Sequence, residues 1–77
     1  MARSIFSQRH AKLCSALIGA RQEAHLTQID LAKKLRRPQS FVSKYERGER
    51  RLDVIEFIEV AEALKVLPGK ILDEIRR

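Results

Sequence analysis

The sequence predicts a single all-α domain of five helices with short connections. Apolar residues recur every three to four positions along most of the chain, and no segment alternates convincingly between apolar and polar residues as a half-buried strand would. Thr27 and Asp53 each precede such an apolar pattern and suit helix N-caps. A length of 77 residues suffices for one small domain with one core, and only two prolines and three glycines interrupt it.

The first helix should run from Ser4 or Ser7 to about Ala24, after a short basic arm at residues 1–4. Helical spacing places Cys14 and Arg21 at the edge of its inward stripe. The stripe itself is expected to comprise Phe6, His10, Leu13, Leu17, Ala20 and Ala24.

Two further helices with a tight turn between them should occupy about residues 27–47. Thr27 with Asp30 three positions later has the pattern of a capping box, and Leu26 with Leu31 can form a hydrophobic staple around it. The second of these helices should begin at Pro38, whose fixed φ suits a helix start, and end near Arg47 before Gly48. This spacing is typical of a helix-turn-helix.

The last two helices should follow Asp53 and Pro68. In the helix from Val54 to Leu64, the inward positions are expected to be Ile55, Ile58, Ala61 and Leu64, with Glu56, Glu59 and Glu62 on the solvated side. Phe57 and Val60 are then apolar beyond what one narrow stripe needs. The final helix should run from Pro68 to about Arg76 and carry Ile71, Leu72 and Ile75.

The helix after the tight turn has two different faces. At about 100° per residue, Val42, Tyr45 and Glu46 fall on one side. The other side is small, hydrogen-bonding and cationic, which suits a helix in a DNA major groove. That side carries Ser40, Ser43, Lys44 and Arg47, with Gln39 at the leading end. Any solvated helix face can be polar, but the three-residue turn and the basic residues around it favour the DNA-binding interpretation.

These motifs resemble the lambda-repressor/Cro (XRE-type) helix-turn-helix family over about residues 13–75. The resemblance is carried by Thr27-Gln28, Leu31-Ala32, Pro38-Gln39-Ser40-Phe41-Val42-Ser43 and Tyr45-Glu46-Arg47-Gly48. It implies a compact five-helix lambda-repressor-like DNA-binding domain that spans residues 1–77. The pattern TQxxLA alone is weak, but QSxVSxxExG at the right offset makes it specific.

The resemblance and the charges together predict three groups of site residues. Base-edge contacts are expected from the outer face of the helix after the tight turn, at Gln39, Ser40, Ser43 and Lys44. For Lys44 the sequence leaves both a guanine and a phosphate open. Backbone contacts are expected from Gln28, Arg37, Arg47, Arg50 and Arg51. The resemblance further implies that Gln28 braces Gln39 and that Arg21 and Glu46 form a structural ion pair, whereas Phe41 should pack partly in the core.

Two residues depart from the family pattern. Arg36 stands in the turn and Lys65 ends the helix after Asp53, where glycine is usual in the family. Both positions often need a left-handed backbone, which costs a residue other than glycine about 1 kcal/mol. The turn is therefore expected to be strained or differently shaped.

The net charge of +6 is unevenly distributed. Residues 1–26 carry four basic and one acidic side chain, residues 27–51 eight and three, and residues 52–77 four and six, so the front of the chain is basic and the back acidic. Such a split favours a polyanion partner. A single cysteine excludes an internal disulfide and favours the cytoplasm, and no apolar run approaches the roughly 18 residues of a membrane span.

An enzyme is disfavoured, and no cofactor or metal is expected. Only His10, His25 and Cys14 offer imidazole or thiol chemistry. His10 and Cys14 lie four residues apart on one helix face, but no second pair of metal-ligand spacing follows. No glycine-rich phosphate loop is present.

The sequence therefore predicts a sequence-specific double-stranded DNA-binding protein, a dimeric repressor of phage, plasmid or bacterial origin. The alternative is an antitoxin-type or other protein-interaction module whose helix-turn-helix domain also binds a protein partner. The apolar residues left over for a homodimer or partner surface are Phe57, Val60, Leu67 and Ile71.

Overall fold

A computed structural model describes residues 7–77, and within them the chain forms five α-helices and no strand. The helices are α1 (Gln8–Glu23), α2 (Gln28–Leu35), α3 (Gln39–Glu46), α4 (Val54–Ala63) and α5 (Pro68–Arg76). The predicted all-α, five-helix fold is confirmed. The expectations for the basic arm at residues 1–4 and for Phe6 lie outside the described residues.

The helix starts follow the capping chemistry of the sequence. The Thr27 hydroxyl accepts the Asp30 N–H at 3.0 Å and the Asp30 carboxylate accepts the Thr27 N–H at 3.0 Å, so the predicted capping box is present. Asp53 and Glu56 form a second capping box. Pro38 was expected to be the first helical residue, but its ψ of 155° is extended and it is the N-cap of α3.

Four helix ends use a left-handed residue. His25, Arg36, Gly48 and Lys65 have φ between 59° and 78°. Each end closes with a pair of backbone hydrogen bonds in the Schellman pattern, for example Arg36 N–H to the Lys33 carbonyl and Arg37 N–H to the Ala32 carbonyl. The left-handed backbone expected at Arg36 and Lys65 is confirmed, and the one at His25 was not predicted.

The core draws on all five helices. In it α1 packs against α3 and α5, α2 packs against α3 and α4, and α4 packs against α5. Its residues are Leu17, Leu31, Ala32, Phe41, Val42, Tyr45, Phe57, Val60, Leu64 and Ile71. In α1 the observed stripe is rotated slightly from the predicted one, because Cys14 is buried and Ala24, the C-cap, is exposed.

The prediction for α4 was wrong in its register. Two apolar stripes overlap on this helix, and the buried one runs through Phe57, Val60, Ala61 and Leu64, whereas Ile55 is 63% exposed. Phe57 and Val60 therefore belong to the protein's own core and not to a dimer or partner surface. Ile71 is also buried there, so of the four residues proposed for that surface only Leu67, at 74% exposed, lies outside the core.

None of the helices in residues 7–77 has both the length and the apolar content needed to span a membrane.

Candidate nucleic-acid interface

The α3 helix presents its polar side outward. Gln39, Ser40, Lys44 and Arg47 are exposed and Ser43 is half-buried, with its hydroxyl donating to the Ser40 carbonyl at 3.4 Å. On the opposite side Phe41, Val42, Tyr45 and Glu46 are buried. The two faces predicted from the sequence are those observed, and Phe41 is fully part of the core.

A buried ion pair fixes α3 to the rest of the domain. The Arg21 side chain donates to both carboxylate oxygens of Glu46, at 2.8 and 3.2 Å, and to the Leu26 carbonyl at 2.9 Å. The Glu46 side chain is only 4% exposed. The hydrogen bonds to Glu46 raise the pKa of Arg21, so the Arg21 guanidinium keeps its charge. The ion pair implied by the family resemblance is present.

Glu46 also determines how the glutamine at the start of α2 is oriented. The Gln28 amide nitrogen donates to Glu46 Oε1 at 2.9 Å, and the Gln28 amide oxygen accepts from the Gln39 Nε2 at 3.3 Å. A carboxylate only accepts, so Gln28 must turn its nitrogen toward Glu46 and its oxygen toward Gln39. Gln39 is thereby held as a donor to Gln28, with its own oxygen and its second N–H unused by this contact.

A second cluster joins the turn, the loop after α3 and the start of α4. Arg50 donates through both terminal nitrogens to the two oxygens of Glu56, at 2.9 and 2.8 Å. The guanidinium groups of Arg37 and Arg50 lie 4.5 and 4.8 Å from the centre of the Phe41 ring, within cation–π range. Arg37 approaches Glu56 at 3.6 Å and Glu59 at 3.7 Å.

Glu56 was placed on the solvated side by its position in the sequence, but its side chain is only 12% exposed. The hydrogen bonds from Arg50 and from the Asp53 N–H lower the pKa of Glu56 to about 2. The capping-box spacing Asp53-x-x-Glu56 is a sequence signal for the contact between Glu56 and the Asp53 N–H. The pairing of Glu56 with Arg50 depends on the path of the loop between α3 and α4, and no local sequence pattern indicates it.

The remaining predicted backbone contacts lie on the surface. Arg47 pairs with Glu49 at 2.9 Å, and both side chains are more than half exposed. The hydrogen bond from Arg47 lowers the pKa of Glu49 below its ordinary value. Arg51 is exposed. Exposed cations of this kind can exchange a carboxylate or water for a phosphate at little cost.

The thiol and imidazole groups of α1 lie inside the fold. Cys14 donates its thiol to the Tyr45 carbonyl at 3.3 Å, and burial raises the pKa of that thiol. His10 is buried one turn earlier on the helix. Within residues 7–77, no three His, Cys, Asp or Glu residues are grouped as a metal site requires.

This geometry has close counterparts among known proteins. A family model described as helix-turn-helix matches residues 17–71. An XRE-family like protein from Pseudomonas syringae pv. tomato str. DC3000 is 46% identical, with a TM-score of 0.84 over 88% of this chain and 83% of that one. The chain belongs to the XRE-type helix-turn-helix family. Members of this family are DNA-binding transcriptional regulators and not enzymes, and that general class applies to this chain.

Two restriction-modification controller proteins are more distant relatives. C.AhdI from Aeromonas hydrophila is 27% identical, with a TM-score of 0.75 over 80% of this chain and 94% of that one. The C.Esp1396I tetramer in complex with its natural 35 base-pair operator is 25% identical, with a TM-score of 0.79 over 94% of this chain and all of that one. No curated protein matches the sequence significantly.

Proposed function

We propose that this protein is a sequence-specific transcriptional repressor that binds double-stranded DNA as a homodimer, with α3 in the major groove. The observation that carries the proposal is the polar outer face of α3, whose leading residue, Gln39, is held by Gln28 and Glu46. A side chain that is fixed before binding loses less conformational entropy when it contacts a base.

The direction of the Gln28–Gln39 hydrogen bond favours adenine as the base read by Gln39. That bond uses one N–H of Gln39 and leaves an amide oxygen and the other N–H for DNA. Adenine offers an acceptor at N7 and a donor at N6 in the major groove, which is the complement of this pair. Such a bidentate contact supplies about 1–3 kcal/mol of discrimination. We assign further base contacts to Ser40, Ser43 and Lys44.

The backbone contacts in this proposal surround α3. Gln28 lies in the first turn of α2, where unpaired N–H groups and the helix dipole favour a phosphate. Arg37, Arg47 and Arg51 supply exposed or half-exposed positive charge. Contacts of this class carry affinity and register but little sequence information.

A homodimer accounts for apolar residues that the fold leaves uncovered. Leu67, which precedes α5, and Leu72, within α5, are exposed. Val54 and Ile55, at the start of α4, are exposed as well. Two copies related by a two-fold axis place two α3 helices in successive major grooves of a palindromic site, about 34 Å apart. A repressor then acts by occupying the operator, which needs no further contact with polymerase.

The test is selection of bound duplexes from a random library, followed by titration of the selected duplex at several salt concentrations. We expect palindromic enrichment and a log–log salt slope that becomes steeper by about 0.9 for each phosphate contacted. Gln39→Ala should lose its preference at one symmetric pair of positions, whereas Arg51→Ala should weaken all duplexes alike. Absence of DNA binding, together with tight binding to a protein partner, would instead support the interaction-module alternative.

A transcription assay with the operator placed over the promoter then tests repression.

Gel filtration with light scattering tests the dimer. Leu67→Glu with Leu72→Glu should give monomers and lower the affinity for a two-site duplex more than for a single half-site. A monomeric wild-type protein that binds both duplexes equally would contradict the dimer while leaving the DNA-binding function intact.

A further inference from the structure

The two arginines on the Phe41 ring are engaged to different extents. Arg50 uses three of the five N–H donors of its guanidinium group, two for Glu56 and one for the Arg51 carbonyl. Arg37 makes only the longer ion-pair contacts to Glu56 and Glu59, and no hydrogen bond through its side chain within residues 7–77. The guanidinium of Arg50 is thus mostly occupied by the protein, whereas that of Arg37 keeps its donors available.

The two like charges need a counter-charge to remain at this place. Both guanidinium groups lie within 5 Å of the same ring centre, and both reach the same oxygen, Oε2 of Glu56. Without that carboxylate they repel each other at short range. Glu59 cannot replace it, because its side chain is half exposed and approaches only Arg37.

We propose that Glu56 is a positioning residue for DNA binding. It holds Arg50 on the Phe41 ring as part of the scaffold. It also keeps Arg37 beside the start of α3, where Arg37 contacts a DNA phosphate. Arg50, predicted from the sequence as a backbone contact, acts in this arrangement through Arg37 and the loop. The inference rests on the proposed DNA-binding function and deepens it.

Because Glu56 is negatively charged, the proposal can be tested by whether its replacement weakens or strengthens DNA binding. If Glu56 were only one more negative charge near the DNA, its removal would strengthen binding, because the carboxylate repels phosphate. If Glu56 positions the arginines, its removal weakens binding although the protein becomes more positive. Glu56→Gln is suitable because glutamine also serves in a capping box, so the start of α4 is retained.

The experiment measures the dissociation constants of wild type, Glu56→Gln, Glu59→Gln and Arg50→Lys for the selected duplex and for a scrambled duplex. Glu59→Gln is the matched control, because it removes the same charge one turn along α4. We expect Glu56→Gln to weaken binding of the selected duplex about fivefold or more, and Glu59→Gln to leave it unchanged or tighten it. Circular dichroism confirms that each variant is folded at the assay temperature.

Arg50→Lys separates charge from geometry. Lysine keeps the charge but lacks the planar fork that pairs with both oxygens of Glu56. A scaffold role predicts that Arg50→Lys weakens binding as much as Glu56→Gln does, and that the double variant is no weaker than either single one. A direct phosphate contact by Arg50 predicts that the lysine variant keeps most of the affinity, which would overturn the assignment.

A measurement without DNA completes the test. Modification of arginines by phenylglyoxal, mapped by mass spectrometry, should be slow at Arg50 and fast at Arg51 in the wild type, and fast at both in Glu56→Gln. Tighter binding by both glutamine variants, or equal reactivity of Arg50 and Arg51 in the wild type, would refute the positioning role alone. A wild-type protein that binds no duplex would refute the DNA-binding function itself, and the positioning role with it.

Discussion

Replacement of Arg21 by methionine should destabilise the domain strongly, because it leaves the Glu46 carboxylate buried without its cation. The two side chains are 13% and 4% exposed, and the change removes two hydrogen bonds to Glu46 and one to the Leu26 carbonyl. Loss of one partner from a buried ion pair costs about 3–5 kcal/mol. Gln28 still donates to Glu46, so we expect the lower end of that range, about 3 kcal/mol.

That loss is large for a chain of this size. At about 0.05–0.15 kcal/mol per residue, the whole domain is stable by about 4–12 kcal/mol. A loss of about 3 kcal/mol corresponds to a melting temperature about 12–24 °C lower. Urea unfolding followed by circular dichroism measures the free energy directly, and Arg21→Lys, which keeps the charge, should fall between wild type and Arg21→Met.

Two controls make the result specific. Arg47→Met removes an exposed pair with Glu49 and should change stability far less than Arg21→Met does, because solvent screens exposed pairs. Adding Glu46→Met to Arg21→Met should recover part of the lost stability, since the uncompensated carboxylate is gone. If Arg21→Met unfolded at the same urea concentration as Arg47→Met, the buried pair would not be a structural anchor and the reasoning would fail.

Three further predictions concern stability. Arg36→Gly should raise the free energy of unfolding by about 0.5–1 kcal/mol, because Arg36 has φ 59° and glycine adopts that conformation freely. Tyr45→Phe should leave stability unchanged or raise it by up to about 1 kcal/mol, because the tyrosine hydroxyl is buried with no hydrogen-bond partner among the described residues. Glu56 has its pKa lowered to about 2, so the stability it contributes is present above about pH 4.5 and is lost as the pH falls toward 2. The difference in unfolding free energy between wild type and Glu56→Gln, on the order of 1–3 kcal/mol at pH 7, should therefore vanish over that range.

Each of these has its own check. Arg36→Ala removes the same charge but keeps the left-handed cost, so a glycine variant that melts below the alanine variant would contradict the backbone argument. A loss of more than about 1 kcal/mol in Tyr45→Phe would mean that the hydroxyl has a stabilising partner. Parallel acid unfolding curves for wild type and Glu56→Gln would exclude Glu56 as the titrating group.

The fold could be predicted from local chemistry because its helices begin with strong signals. The capping box at Thr27, the N-cap at Asp53, and the prolines Pro38 and Pro68 place four of the five helix starts within one residue of those observed. The register of α4 could not be predicted in the same way. With Ile55, Phe57, Ile58 and Val60 all apolar, two stripes have similar hydrophobicity, and only packing against the other helices decides between them.

The candidate site likewise contains contacts that could be predicted from the sequence and contacts that could not. The pairing of Arg21 with Glu46, and of Gln28 with Gln39, was implied by the family resemblance and is present. The role of Glu56 was missed, since its partner Arg50 lies in an irregular loop whose course no periodic pattern encodes. The DNA contacts themselves remain predictions, and the experiments on Gln39 and Glu56 are the ones that test them.

The left-handed helix ends also determine how much further change this domain can accept. His25, Arg36 and Lys65 are all exposed, and each carries a backbone cost that glycine would remove without altering the core. Replacing these residues by glycine should give a more stable variant of the domain. Destabilising substitutions, such as those at Arg21, can then be studied in a chain that remains folded. The three surface turns are thus places where stability can be gained without any change to the packing of the interior.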